Sequence, residues 1–376
     1  MTESEETLYA IALTRLMGFN SAAALHLFRE GGGAKAVYDH RNNIGDIVGE
    51  CSERLVTLLK DWDEALRRAE EEMAFARKYA IQVLVLGDDS YPTRLMDCPD
   101  APIVLYYRGN AQLNAARVVN IIGTRHCTTY GQDLVRRFVA DLSTLCPGVI
   151  IVSGLAYGID ICAHRNALQC GLSTVGVLAH GLEKIYPSQH RETASQMTVQ
   201  GGLLTEYMSH SYMDKSNFVR RNRIVAGMCD ATVLVESAAR GGGLITAEIA
   251  QGYGRNVFAF PGAVGARYSE GCNNLIRNNG AELITKADDL VASMGWQTDA
   301  MLQKARSEGI ERSCFPSLTE QEQAVVSVLE ADGDLQLNII AVKANIPVGM
   351  LSSLLFQLEM KGVVKAMAGG QWHLLK

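Results

Sequence analysis

"VVNIIGTRHCTTYGQDLVRRFVADLSTLCPGVIIVSG", residues 118–154, decides the fold. Two short apolar runs, "VVNIIG" and "GVIIVSG", enclose a helix-period segment, "GQDLVRRFVADLSTL". A strand with no polar alternation is covered on both faces, and two such strands joined by a helix make a parallel βαβ unit. The pattern recurs on both sides. "TVGVLAHG", "ATVLVES", "NVFAFPG" and "AELIT" read as further strands, with helical "IDICAHRNALQC" and "LITAEIAQGYG" between them. The predicted class is α/β, a Rossmann-like doubly wound parallel sheet over residues 81–295.

The flanks have other patterns. Residues 1–80 read as helices: "ESEETLYAIALTRLMGF" opens on acidic residues suited to a helix N-terminus, and "NSAAALHLFREGGG" ends in a glycine run. Gly18 and Asn20 between these two helices fit either a DNA-binding helix-hairpin-helix or a bundle that contacts protein. Residues 296–316 have weak periodicity and end in Pro316, which reads as a linker. In residues 317–376, Thr319 and Glu322 stand in capping-box spacing before a helix. "QLNIIAVKAN" and "VGMLSSLLFQLEMKG" follow as helices, and "VVKAMAGGQWHLL" reads as a hairpin. Three helices and a hairpin predict a winged helix.

Composition narrows the class. Of 376 residues 20% are charged and 48% hydrophobic, which is an ordinary globular balance, and the net charge is −6. Residues 1–100 carry 11 Lys/Arg against 18 Asp/Glu, so the remainder is near neutral and has room for a local basic groove. The nine cysteines are scattered singly without a CxxC pair, as expected of reduced thiols. The acidic N-terminus and the lack of a long apolar run predict a cytoplasmic protein without membrane contact.

Ligands of an open parallel sheet sit beyond the carboxyl ends of its strands, so the loops there carry the chemistry. In "NIIGTRHCTTYG", Gly123 turns the chain, Arg125 offers a planar cation, and a helix opening near Thr128 or Thr129 presents N–H groups to an anion. In "VSGLAYGIDICAH", Gly154 and Gly158 permit close backbone approach. Asp160 and His164 share a helix face, open to an acid–base pair or to a structural hydrogen bond. "AHGLEKIYPSQH" carries Lys184, Tyr186 and two histidines, and "VESAARGGGLITAE" sets Arg240 and Gly241-Gly242-Gly243 before a helix. Neither a P-loop nor a GxGxxG fingerprint occurs, so no nucleotide cofactor and no metal is expected.

One strip stands out in an acidic chain: "SNFVRRNRIV", residues 216–225, has three arginines and no carboxylate. On a helix, Lys215, Phe218 and Asn222 follow one face, with Arg221 beside it. Cations suit phosphates, and an aromatic ring stacks an unpaired base, so the combination favours single strands.

The ordered set "GTRHCTTYG", "SGLAYGIDICAH", "GLEKIYP", "FVRRNRIVAG", "GGGLITAEIA", "FPG" and "GCNNLIRNNGAELI" closely resembles the DNA-processing protein A (DprA/Smf) family. The resemblance implies a dimeric protein of bacterial natural transformation that binds and protects incoming single-stranded DNA and helps load the recombinase RecA. The dimer is expected through the Rossmann-like domain. The family's phosphate loop falls on Gly123, Thr124 and Arg125. Its basic and stacking residues fall on Lys215 and Phe218, its Arg-Asn-Arg motif on Arg221, Asn222 and Arg223. Gly154, Gly241 and Gly242 complete the expected DNA-binding set, and no catalytic residue is expected. The chain departs from the family pattern at Thr124 for serine, at His190 for asparagine, and in "RGGGLITA" for "SGSLITA". Two other classes remain open. A nucleotide phosphoribohydrolase would use Thr246 and Glu248, and a transcription regulator would read duplex DNA with its winged helix.

Overall fold

The computed structural model describes residues 5–18, 20–296, 318–361, 363–367 and 370–375. The chain divides into two compact units at about residue 297. The predicted linker, apart from residue 296, lies outside the described residues.

The first unit opens with helices α1 (Glu5–Met17), α2 (Ser21–Glu30), α3 (Ala34–Asp39), α4 (Gly45–Val48), α5 (Glu53–Leu58) and α6 (Asp63–Lys78). Glu5 and Glu6, and again Asp63 and Glu64, occupy the first turns of α1 and α6, where a negative charge meets the positive end of the helix dipole. The Asn20 side chain caps α2 by accepting from Ala23 N–H. These helices share one buried core with the strands that follow. The buried Glu72 carboxylate of α6 accepts from Ser209 N–H (2.9 Å) and Ser209 Oγ (2.6 Å), so the helical layer is tied to the sheet by polar bonds as well.

Nine strands form the sheet among the described residues: β1 (Gln82–Val85), β2 (Val104–Gly109), β3 (Val118–Ile122), β4 (Ile150–Ser153), β5 (Thr174–Val177), β6 (Gly201–Thr205), β7 (Ala231–Leu234), β8 (Asn256–Ala259) and β9 (Glu282–Leu283). Their spatial order is β1-β2-β6-β5-β4-β3-β7-β8-β9. The run from β6 to β9 is parallel, as expected for a doubly wound sheet, but at one edge β2 pairs antiparallel with both β6 and β1. Both faces are buried. Val119 and Ile121 of β3 join one core with Phe138 and Ile159, while Val118 and Ile122 join the other with Ile224 and Val225. The connecting helices are α7 (Thr93–Met96), α8 (Thr129–Leu145), α9 (Ile159–Gln169), α10 (Arg191–Val199), α11 (Lys215–Gly227), α12 (Gly242–Gly252), α13 (Glu270–Arg277) and α14 (Ala287–Ser293).

From β3 the chain winds outward through β4, β5 and β6, then returns to lay β7 on the other side of β3. The strand order reverses at β3. A doubly wound sheet opens its crevice there, because the two flanking loops leave in opposite directions.

The second unit is a winged helix. Helices α15 (Glu320–Asp332), α16 (Leu337–Ala344) and α17 (Val348–Met360) pack with a small antiparallel sheet of β10 (Leu335–Gln336), β11 (Val364–Met367) and β12 (Gln371–Leu374). The capping box forms as predicted: Glu322 N–H donates to Thr319 Oγ1 (3.3 Å), and Thr319 N–H donates to the Glu322 carboxylate (2.8 Å). Val325, Ile340, Leu351, Leu355 and Leu358 form this unit's own core.

Candidate nucleic-acid interface

At the reversal point a cavity of about 370 Å³ opens among the ends of β3, β4 and β7 and one face of α11. Three loops are locked together beneath it. Thr124 N–H donates to the Glu236 carbonyl (2.8 Å), and Ile159 N–H donates to the Thr124 carbonyl (3.2 Å). Gly158 sits at φ +79°, and a Cβ there would lie 2.2 Å from the Thr124 carbonyl oxygen, so only glycine lets these two loops cross.

Arg221 forms the floor. Its guanidinium is buried and donates to the carbonyls of Gly154 (2.6 Å) and Val177, joining the ends of β4 and β5. A Cβ on Gly154 would lie 2.4 Å from the Arg221 guanidinium. The buried Asp160 carboxylate supplies the counter-charge and accepts from Ala156 N–H (3.4 Å), so it orders the Gly154–Ala156 turn. Burial pushes the Asp160 carboxyl up and Arg221 opposes that shift. Burial also pulls the Arg221 guanidinium down, with Asp160 opposing.

His164 does not pair with Asp160. Its Nδ1 lies 2.7 Å from Thr174 Oγ1, whose hydroxyl donates onward to the Ile151 carbonyl (2.9 Å), so the acid–base reading of this pair has no geometry behind it. His190 is buried. Its Nδ1 lies 2.9 Å from the Leu155 carbonyl, and Tyr157 packs edge-on against its ring at 5.0 Å. It holds the same turn from the other side, as a donor to a carbonyl.

The α8 N-terminus is already occupied by an internal anion. Thr128 N–H (2.9 Å) and Thr128 Oγ1 (2.6 Å) donate to the buried Glu236 carboxylate, and Gly131 N–H donates to Thr128 Oγ1 (3.3 Å). The expectation that this helix end addresses an external phosphate is therefore corrected. The helix end that opens on the cavity is that of α12, where Gly241 provides no side-chain cap and Gly241, Gly242 and Gly243 all line the wall.

Gly123, Thr124, Arg125, Gly154, Phe218, Arg221, Asn222, Gly241 and Gly242 all line the one cavity. Lys215 and Arg223 do not. Lys215 is exposed at the first turn of α11. Arg223 is buried on another face of the helix, donating to Glu206, the Asp100 carbonyl (2.7 Å) and Ser21 Oγ (3.0 Å). It is a strut between α11 and α2, because two residues along a helix turn a side chain about 200° away. At the mouth, Arg125 is exposed and lies 5.7 Å over the half-buried Phe218 ring, which meets Tyr186 at 5.7 Å. Arg125 and Arg240 have no carboxylate partner among the described residues. Arg240 joins the site although only its glycine-rich loop pointed to it.

The model of the DNA recombination-mediator protein A family matches residues 82–295. The chain belongs to that family. The DprA winged-helix model matches residues 315–370. Protein Smf of Synechocystis is 34% identical over 321 residues, covering 78% of this chain and 80% of that protein. The X-ray structure of DNA processing protein A from Streptococcus pneumoniae superposes with a TM-score of 0.64 at 30% identity, covering 78% of this chain and 98% of that one. A DprA structure from Helicobacter pylori, described for its single-stranded DNA binding mode, has a TM-score of 0.52 at 27% identity, with 57% and 96% covered.

The two rival readings meet obstacles in the family's own frame. Thr246 faces the cavity and its hydroxyl donates to the Gly242 carbonyl (3.1 Å), whereas Glu248 is exposed and outside the lining. A hydrolase of the weighed type would lack its carboxylate. On the winged helix, α17 exposes Val348, Met350, Phe356 and Met360 and carries no arginine or lysine, which leaves Gln357, Ser352 and Ser353 as its exposed polar groups toward a duplex.

Proposed function

We propose that the chain is a cytoplasmic, non-catalytic single-stranded-DNA-binding protein whose cavity at β3, β7 and α11 holds the strand. Arg125, Arg240 and the α12 N-terminus, with Gly123, Thr124, Gly241 and Gly242, contact phosphate. Phe218 stacks a base, with Asn222 beside it. Gly154, Arg221 and Arg223 position this surface, and Lys215 adds charge at its edge. The observation that carries the reading is the arginine without a carboxylate partner among the described residues over a half-buried aromatic ring at the mouth of a cavity of about 370 Å³. Family membership supports the wider role: protection of incoming strands in natural transformation, loading of the RecA recombinase, and a homodimer through the Rossmann-like unit.

Fluorescence anisotropy of labelled oligo-dT against duplex of the same length, over a series of salt concentrations, tests the pocket. Phe218→Ala weakens binding by about 1–3 kcal/mol with the salt slope unchanged, because stacking releases no counterions. Arg125→Ala lowers the slope by roughly 0.7 for each lost phosphate contact. Equal affinities of both variants and the parent would remove the assignment. RecA loading is read by strand exchange on protected single strands, and the dimer by light scattering.

A further inference from the structure

From Arg125 the same alternation of cation and ring continues through His126 at the rim of the cavity. His126, exposed and next in sequence, faces Tyr268 with ring centroids 6.4 Å apart and planes 26° from parallel. Arg267 lies over the Tyr268 ring at 5.5 Å. Tyr268 closes a second cavity, of about 530 Å³, walled on its far side by Pro261 and the exposed Tyr130. Tyr130 Oη donates to the Pro261 carbonyl (2.8 Å), which pins that wall.

The platform is fixed relative to the first cavity. Ser237 lines that cavity, and its N–H donates to the Tyr268 carbonyl (2.7 Å), while its own carbonyl accepts from Gly271 N–H (2.9 Å). One backbone segment after β7 thus positions both sites. The loop 261–269, "PGAVGARYS", contains no carboxylate, and the one carboxylate in the second lining, Glu236, is buried and bonded to Thr128. A flat ring beside an exposed guanidinium, in a lining whose one carboxylate is already bonded within the chain and with the exposed Glu270 only beyond the loop's end, suits a nucleobase and its phosphate.

We propose that a single strand leaving the Phe218 pocket runs over His126 to a second stacking subsite, with a base on Tyr268 and its phosphate at Arg267. This extension rests on the pocket reading, and its test separates the two. Thymidine oligomers graded from about 3 to about 16 nucleotides are titrated by anisotropy. The parent chain gains affinity in two stages as length increases. Tyr268→Ala retains the first stage and loses the second, about 10-fold or more in affinity for the longer oligomers. Tyr268→Trp retains both stages, and its emission is quenched only by the longer oligomers. Arg267→Ala, an exposed substitution, lowers the salt slope by roughly 0.7 for long oligomers and leaves short ones unchanged. If Tyr268→Ala and Arg267→Ala follow the parent at every length while short oligomers still bind, the second subsite is overturned and the pocket stands. If the parent binds no oligomer, both fall.

Discussion

His164 is buried and can hold its proton on one nitrogen only. Thr174 Oγ1 spends its hydrogen on the Ile151 carbonyl, so it accepts from His164 Nδ1–H, and Nε2 is left buried without a partner. A second proton has no acceptor to meet, and it would also face the charge of Arg221. Burial, then His190 and Arg221, pull the His164 imidazole down to about 3 from its ordinary 6.5. The native pKa is the depressed one, so the contribution to stability is complete above pH 6.5 and is lost as pH falls toward 3, where the unfolded chain binds a proton that the native chain refuses. His180 and His190 are also lowered, first by burial, and act in the same direction. Denaturant titrations between pH 7.5 and pH 4 are therefore expected to lose stability on acidification, by up to about 1.4 kcal/mol per pH unit from His164. His164→Gln flattens that slope whatever its effect on the absolute stability. An unchanged slope would mean that the site admits a charged imidazole.

At the scale of an element, α8 shows how an internal carboxylate does the work of a bound anion. Glu236 accepts two hydrogen bonds from Thr128 at the end of the helix where partial positive charge gathers. Thr128→Ala is expected to cost about 1 kcal/mol through the lost cap. Gly131→Ala drives a Cβ to 2.2 Å from Glu236 Oε2 and should cost about 1–3 kcal/mol by overpacking, more than the usual gain of alanine in a helix. Thermal denaturation of both variants checks the order, and a Gly131→Ala protein as stable as the parent would refute this packing. Elements also explain what the sequence could carry. Buried parallel strands such as β3 and β4 are legible because they are apolar throughout, and α15 because its caps lie three residues apart. β6, "GGLLT", gives no such signal: Gly202 stands there because the Tyr107 ring of β2 leaves a Cβ only 2.2 Å of room. That constraint comes from an antiparallel neighbour far away in sequence. The same holds for Arg223, whose partner Glu206 is set by the fold and not by the motif that contains both Arg221 and Arg223.

At the scale of the whole molecule, the winged-helix unit and the sheet unit each enclose a core of their own, and their surfaces differ in chemistry. The cations without carboxylate partners around Phe218 belong to the first unit. The helix α17 exposes Phe356 (61% exposed) and Met360 (75% exposed) beside Gln357, and it carries no cation. Apolar side chains so exposed on a recognition-type helix bury surface against protein more readily than they read base edges. Removing the chain from residue 298 onward is therefore expected to leave a folded unit whose oligo-dT affinity and salt slope match those of the full chain within about twofold, since none of the residues proposed to contact phosphate or stack a base is removed. Phe356→Glu in the full chain should likewise leave oligo-dT binding unchanged, and it adds a charge where a protein partner would have to desolvate it. A truncation that loses 10-fold or more in affinity, with its thermal transition intact, would place part of the strand on the winged helix. The pocket would then be one segment of a longer path.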